Sequence, residues 1–263
     1  MRIGAVSYLN TKPLIHGFAQ RLPEAELVLD LPSRLADRLA SGDLDVALIP
    51  SFEAFRGSGY HIVSDACIGC RGPVWSVKLL SNVDPERIET LSLDEGSRTS
   101  AALVRLWLDQ VASVRPRLVP WSIDRPLASV DTDAVLIIGD RAMRDRFDGW
   151  RYQWDLGELW YRWTGLPFVF ACWVARRGDD GRLAEALESM RDRGLAELAS
   201  IAEREGAKHG LSNERCLAYL RDDLHFHLHD EQIEGLRRFR RMAIDAGLAP
   251  AGNELTCHGC ALA

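Results

Sequence analysis

The stretch Leu91-Ser92-Leu93-Asp94-Glu95-Gly96-Ser97-Arg98-Thr99-Ser100 changes period halfway along, and that change decides the fold class. Leu91-Ser92-Leu93 alternates apolar and polar, the two-residue repeat of a strand. Asp94-Glu95-Gly96 interrupts it with turn residues. Thr99 to Val111 then carries the pattern of a helix. A strand that passes through a glycine turn into a helix is half of a βα unit.

The same alternation continues on both sides. Ile3–Tyr8 is short and apolar and reads as the first strand, followed by a helix from about Pro13 to Arg21. Leu27–Leu31 reads as a second strand. Pro32-Ser33 then opens a helix that carries Leu35 and Leu39 four apart. Val46–Ile49 is a buried-type strand stopped by Pro50. Downstream, Ala134–Ile138 is a continuous apolar strand ending at Gly139-Asp140, and Pro167–Val174 reads as a strand crossing between lobes. After Gly181 the chain is helical almost throughout, with Leu183, Ala186, Leu187 and Met190 on one face. The expected fold is α/β: two lobes with mixed sheets, the second inserted in the first, and a helical C-terminal part. The expected boundaries are 1–88 and 172–263 for lobe I and 89–171 for lobe II, with a substrate cleft between them.

At 263 residues the chain exceeds the usual single domain of roughly 100–150, which agrees with two lobes. Hydrophobic residues at 47% and charged residues at 27% suffice for a core without disulfide staples. A net charge of −6 excludes general attraction to nucleic acid or anionic lipid. An anionic ligand must therefore be held by local donors. Met1–Val6 lacks the pattern of a secretory leader, and no apolar run approaches the roughly 20 residues of a membrane span. A cytoplasmic protein, monomer or homodimer, is expected, its six cysteines being thiols or metal ligands.

Ligands of open α/β sheets bind beyond the carboxyl ends of the strands. Here those ends supply Ser7-Tyr8-Leu9-Asn10-Thr11, Pro50-Ser51, Ser97-Arg98-Thr99-Ser100 and Gly139-Asp140. A cleft lined by hydroxyls and amides follows. Ser97–Ser100 stands at a helix start, where unpaired N–H groups and the positive end of the dipole suit a carboxylate; an ordinary N-cap is the other reading. Asn10 serves either as a helix cap or as a cleft residue, and Asp140 either as a turn residue or as a ligand-facing one. Ser76, within Gly72-Pro73-Val74-Trp75-Ser76-Val77, sits where one lobe hands over to the next.

Five of the eight tryptophans lie between Trp150 and Trp173. Core packing explains them more simply than an aromatic wall for a ring-shaped ligand. Cys67-Ile68-Gly69-Cys70 and Cys257-His258-Gly259-Cys260 together offer the ligand set of a zinc site, but most of the chain separates them. A turn with a buried thiol is the simpler reading of the first pair, so no metal is expected. His225-Phe226-His227 alternates as a short strand before a helix from Asp230.

Taken together, these motifs resemble the chorismate dehydratases of the futalosine route to menaquinone. The ordered set is Ser7–Thr11 with Pro13-Leu14, Gly42–Ala47, Gly72-Pro73-Val74 with Ser76, and Ser97–Ser100. It continues through Ile138-Gly139-Asp140, Asp155-Leu156-Gly157 with Trp160, and Thr164–Ala171. The resemblance implies a fold like that of type II periplasmic binding proteins and a substrate, chorismate, that loses water to give 3-[(1-carboxyvinyl)oxy]benzoate without a cofactor. It also implies Asn10 and Ser76 as the catalytic pair. Ser97, Thr99 and Ser100 would form the carboxylate-binding turn; Arg98, Ser51 and Asp140 are expected to face the substrate from their places at the strand ends, not from the resemblance. Two other readings stand beside it. One is the sister enzyme making 1,4-dihydroxy-6-naphthoate, whose family carries a cleft histidine. The other is a non-catalytic binder of small carboxylates. The segment from about Gly252, with Cys257 and Cys260, has no counterpart in the resemblance.

Overall fold

The computed structural model describes residues 1–176, 181–253, 256–257 and 260–261. Its strands are β1 (Arg2–Val6), β2 (Glu26–Asp30), β3 (Val46–Pro50), β4 (His61–Cys70), β5 (Val77–Ser81), β6 (Thr90–Asp94), β7 (Arg117–Trp121), β8 (Ala134–Ile138), β9 (Tyr152–Asp155), β10 (Phe168–Ala175), β11 (His225–His227), β12 (Thr256–Cys257) and β13 (Cys260–Ala261). The α-helices are α1 (Phe18–Arg21), α2 (Pro32–Ser41), α3 (Ser51–Arg56), α4 (Arg98–Gln110), α5 (Leu156–Thr164), α6 (Arg182–Ala196), α7 (Leu198–Glu205), α8 (Asn213–Ala218) and α9 (Asp230–Asp245).

Two mixed sheets result. The first runs β13-β12-β4-β10-β3-β1-β2, with β11 also on β4; the second runs β7-β6-β8-β5-β9. Within the first, β1 is parallel to β2 and β3, while β10 is antiparallel to β3 and β4. Within the second, β6 is parallel to β7 and β8, and β5 is antiparallel to β8 and β9. The central strands β3, β8 and β10 are buried along their whole length, as continuous apolar runs require when both sheet faces are covered. Along β8 the faces separate by the two-residue repeat. Ala134, Leu136 and Ile138 join the main core, whereas Val135 and Ile137 join a small cluster with Leu80, Trp121 and Phe147.

The two-lobed α/β architecture is therefore as the sequence led us to expect. Sheet membership moves the hand-over points, however. β5 already belongs to the second sheet, and β10 lies wholly in the first. By that criterion the crossings fall between Cys70 and Val77 and between Asp155 and Phe168, not at 88/89 and 171/172. The helix expected from Pro13 to Arg21 is also two pieces: a 3₁₀ turn over Leu9–Ile15, then α1. Gly17, left-handed at φ 71°, separates them. On α6 the buried face includes Ala184 rather than Ala186.

The five tryptophans between Trp150 and Trp173 were expected to pack rather than to line a ligand wall, and of these Trp160 and Trp173 are fully buried in the core. Cys67 and Cys70 stand within β4 rather than in a turn. Burial pushes the Cys67 thiol up to about 12 and the Cys70 thiol well above its ordinary value, so neither is a ready thiolate ligand. The side chains of Cys257 and Cys260 lie outside the described residues. Their hairpin pairs beside Ile62 of β4, which places Cys67 five residues further along, roughly 16 Å at ~3.3 Å per residue. One shared four-cysteine site is thereby excluded by register.

Candidate active site

A cavity opens where the carboxyl ends of β1, β3, β6 and β8 converge. Val6, Ile68, Val74, Val77, Ile138 and Phe170 form its apolar wall. Tyr8, Asn10, Ser76 and Gly96–Ser100 supply the polar groups. No His, Asp, Glu, Lys or Cys lines it among the described residues.

Ser97 occupies the N-cap position of the thirteen-residue α4, yet its side chain makes no capping bond. Its hydroxyl is buried and has no partner among the described residues. The ordinary capping reading is thus set aside. The first turn of α4 presents N–H groups that no intrahelical carbonyl can satisfy, and an unpaired hydroxyl lies beside them. That combination suits an anion. Ser100, also buried, lines the same end.

Thr99 lines the cavity as well, but its hydroxyl is engaged. It donates to the Phe170 carbonyl (3.1 Å) and accepts from the Phe52 N–H (3.2 Å). Ser51 does not line the cavity; its hydroxyl donates to the Val169 carbonyl (2.7 Å) next to Thr99. Together the two hydroxyls tie α4 to α3 and β10 across the two sheets. Arg98 is corrected in the same sense. Its backbone reaches the cavity, but the guanidinium holds both Asp37 oxygens on α2 (2.8 Å each) and stands 3.2 Å from Glu53 on α3. A charge so committed clamps the lobes together instead of meeting a substrate.

Asp140 also lies outside the lining. One carboxylate oxygen accepts the Leu9 N–H (3.0 Å), and the other is 3.1 Å from His209 Nδ1. Burial pushes this carboxyl up, opposed by the Leu9 N–H and His209. Asp140 therefore secures the 3₁₀ turn that carries Asn10, a structural role that sequence position alone left open. The glycine before it has its own reason. Gly139 is left-handed at φ 69°, and an added Cβ would lie 2.7 Å from the Tyr8 ring.

Asn10 lies inside the 3₁₀ turn, whose N-cap is Tyr8, so it caps nothing. It lines the cavity, half-buried. Ser76 is held more rigidly. Its N–H bonds the Val74 carbonyl at 2.7 Å across Trp75, which adopts φ 61°. A non-glycine residue in this region is strained, and such strain persists only where surroundings enforce it. Asp155 enforces it here by accepting the Val74 and Trp75 N–H groups (3.0 and 2.7 Å), while Arg215 covers the Trp75 ring at 3.5 Å. Asp155 also caps α5, which accounts for the Asp155-Leu156-Gly157 motif.

The residue that sequence reading missed is Tyr219. It is fully enclosed, and its hydroxyl pairs with the side chains of both Ser76 and Asn10. It belongs to a wide π-type turn over Tyr219–Asp223 after α8, a feature often found at functional sites. Burial holds the phenol far above its ordinary titration range, so it is a neutral tether and not a base. No local pattern around Tyr219 marks it, because its partners lie in the first 76 residues.

Comparison with known proteins identifies the family and the fold. Residues 1–245 match the model of a family described as menaquinone biosynthesis. The chain is 30% identical over 257 residues to a chorismate dehydratase of Thermus thermophilus, covering 90% of this chain and 93% of that protein. It is 27% identical over 178 residues to a chorismate dehydratase of Campylobacter jejuni, covering 65% and 66%. In structure it resembles a protein of Archaeoglobus fulgidus (TM-score 0.74, 15% identity, 94% and 97% covered). It also resembles the periplasmic aliphatic sulphonate binding protein SsuA of Escherichia coli (TM-score 0.64, 15% identity, 95% and 93% covered). The two-lobed fold is that of periplasmic binding proteins, and the chain belongs to the menaquinone-biosynthesis family that includes the chorismate dehydratases.

Proposed function

We propose that the chain is a cytoplasmic chorismate dehydratase of the futalosine route, a lyase converting chorismate to 3-[(1-carboxyvinyl)oxy]benzoate and water. The observation that carries this reading is the cavity itself. An apolar slot ends in the α4 N-terminus with the unpartnered Ser97 hydroxyl, and Asn10 and Ser76 stand together on its wall.

The chemistry asks little of the protein. The C3–H bond of chorismate is acidified through the diene by the ring carboxylate. Breaking it and losing the C4 hydroxyl as water leaves an aromatic ring. Holding the ring carboxylate at the first turn of α4, with the Ser97 and Ser100 hydroxyls beside its N–H groups, stabilises the charge that spreads into it. Such donors are worth typically about 10²–10³ in rate each. Among the described residues the lining offers no carboxylate, imidazole or amine base. The enolpyruvyl carboxylate of the substrate takes the C3 proton, with Asn10 orienting that side chain and Ser76 beside it.

Purified protein incubated with chorismate should yield a product lighter by one water with aromatic absorbance. Unchanged chorismate, or prephenate alone, overturns the reading. The same assay separates it from a pure binder, which the SsuA-like fold would also serve. The lack of a cleft histidine among the described lining residues disfavours the sister naphthoate enzyme.

Tyr219→Phe keeps the ring and removes only the tether of Asn10 and Ser76. We expect kcat to fall about tenfold, ~1.4 kcal/mol, with KM nearly unchanged, because two polar partners lose one fixed orientation. A wild-type kcat in that variant would show that the tether does not position the pair.

A further inference from the structure

One further polar group lines the cavity. Tyr8 lies at the carboxyl end of β1, and its ring lines the cavity. Its hydroxyl is buried and, like Ser97 Oγ, has no hydrogen-bond partner among the described residues. The two groups belong to one corner. A Cβ added to Gly96, the residue before Ser97, would lie 3.4 Å from the Tyr8 hydroxyl. Asp94, at the end of β6, makes no hydrogen bond to it: one oxygen of Asp94 accepts the Gly96 N–H (3.0 Å) and the other pairs with Arg141.

A buried hydroxyl without a partner costs free energy, typically about 1–3 kcal/mol. Native folds leave few such groups unsatisfied, and one that lines a cavity has a ligand as its natural partner. The ring is also fixed in place: it packs on Gly139, where any side chain would collide with it at 2.7–2.9 Å. Tyr8 is thus aimed, not loosely accommodated. We propose that the Tyr8 hydroxyl is a substrate-binding donor, which hydrogen-bonds a carboxylate oxygen of the bound anion together with Ser97 and the first turn of α4. The assignment rests on the reading of the cavity as a carboxylate-binding active site, and it names the group that selects a carboxylate over a neutral substituent there. The phenol is suited to donate throughout the working pH range. Burial, and secondarily the Asp94 charge, hold it protonated well above its ordinary range.

The test is Tyr8→Phe, which retains the ring on Gly139 and deletes one oxygen. KM for chorismate should rise at least tenfold, with kcat lowered by less than that factor. In thermal-shift titrations benzoate should stabilise the wild type at concentrations at least tenfold lower than it does the variant. Benzamide, a neutral analogue of similar shape, should bind both equally. General damage to the pocket would weaken both ligands alike and so overturns the assignment, as does a variant KM within twofold of wild type while wild type turns chorismate over. If wild type does not convert chorismate, the dehydratase reading fails separately. The benzoate and benzamide titrations then decide Tyr8: selective loss of benzoate supports the donor, and equal affinities or no benzoate binding reject it.

Discussion

Asn10→Ala is expected to lower kcat for chorismate by at least 100-fold, about 2.7 kcal/mol, while the melting temperature falls by no more than a few degrees. The two effects separate because Asn10 does no capping. It sits within the 3₁₀ turn of Leu9–Ile15, and that turn is secured instead by the Asp140 carboxylate on the Leu9 N–H. Removing the amide leaves Tyr219 its second partner, Ser76, so no buried hydroxyl is stranded. What is lost is the group that orients the enolpyruvyl carboxylate toward C3. Asn10→Asp should weaken binding by charge repulsion with the dianionic substrate and retain some turnover, since a carboxylate there can itself accept the proton. Chorismate deuterated at C3 supplies the control, with a kinetic isotope effect wherever proton removal limits the rate. Wild-type turnover in Asn10→Ala would make the residue structural and remove the basis for substrate-assisted proton transfer.

The strands whose ends build the cavity were legible because each is a short apolar run punctuated by Gly, Pro or hydroxyl residues. β8 ends as read at Ile138, and β3 runs one residue past the expected Ile49, to Pro50. β5 was missed because Lys78 interrupts its apolar run. In the structure the Lys78 amine snorkels to the Arg144 carbonyl while the stem stays buried. Site residues divide by a rule that sequence does not contain. Ser97 and Thr99 stand two apart on one turn and look equivalent, yet one hydroxyl is free toward the cavity and the other is committed to Phe170 and Phe52. Arg98 between them turns to Asp37 and Glu53 for the same reason. The partners that decide these outcomes come from helices and strands far away in the chain. Local pattern therefore finds the corner where a ligand sits, and long-range packing decides which side chain meets it. Tyr219 is the extreme case, being wholly determined by the 3₁₀ turn and the strained turn at Trp75.

The largest stability effect is expected at a residue outside the cavity. Gly194 lies on α6, and a Cβ added there would be 2.1 Å from the Pro13 carbonyl oxygen and 2.7 Å from two further Pro13 backbone atoms. On an exposed helix, glycine to alanine stabilises by about 0.8–1 kcal/mol. Here that gain meets a backbone-to-backbone contact that no rotamer change can relieve. Gly194→Ala must push α6 and the 3₁₀ turn apart, and overpacking of rigid atoms costs typically about 1–3 kcal/mol, occasionally more. With the cost at the upper end of that range, we expect a net loss of about 2 kcal/mol, which for a chain of this size lowers the melting temperature by roughly 4–8 °C. The damage should reach activity as well, since Pro13 and Asn10 share one short turn and Asn10 must meet Tyr219. Soluble Gly194→Ala protein should therefore lose kcat as well as stability. Gly165→Ala provides the contrast: its Cβ would meet nothing within 4 Å, and only its left-handed φ of 73° penalises it. That variant should lose about 1–2 kcal/mol and keep the wild-type kcat. If Gly194→Ala melts at or above the wild-type temperature, α6 does not press directly on the turn, and the packing that holds Asn10 in place must come from elsewhere.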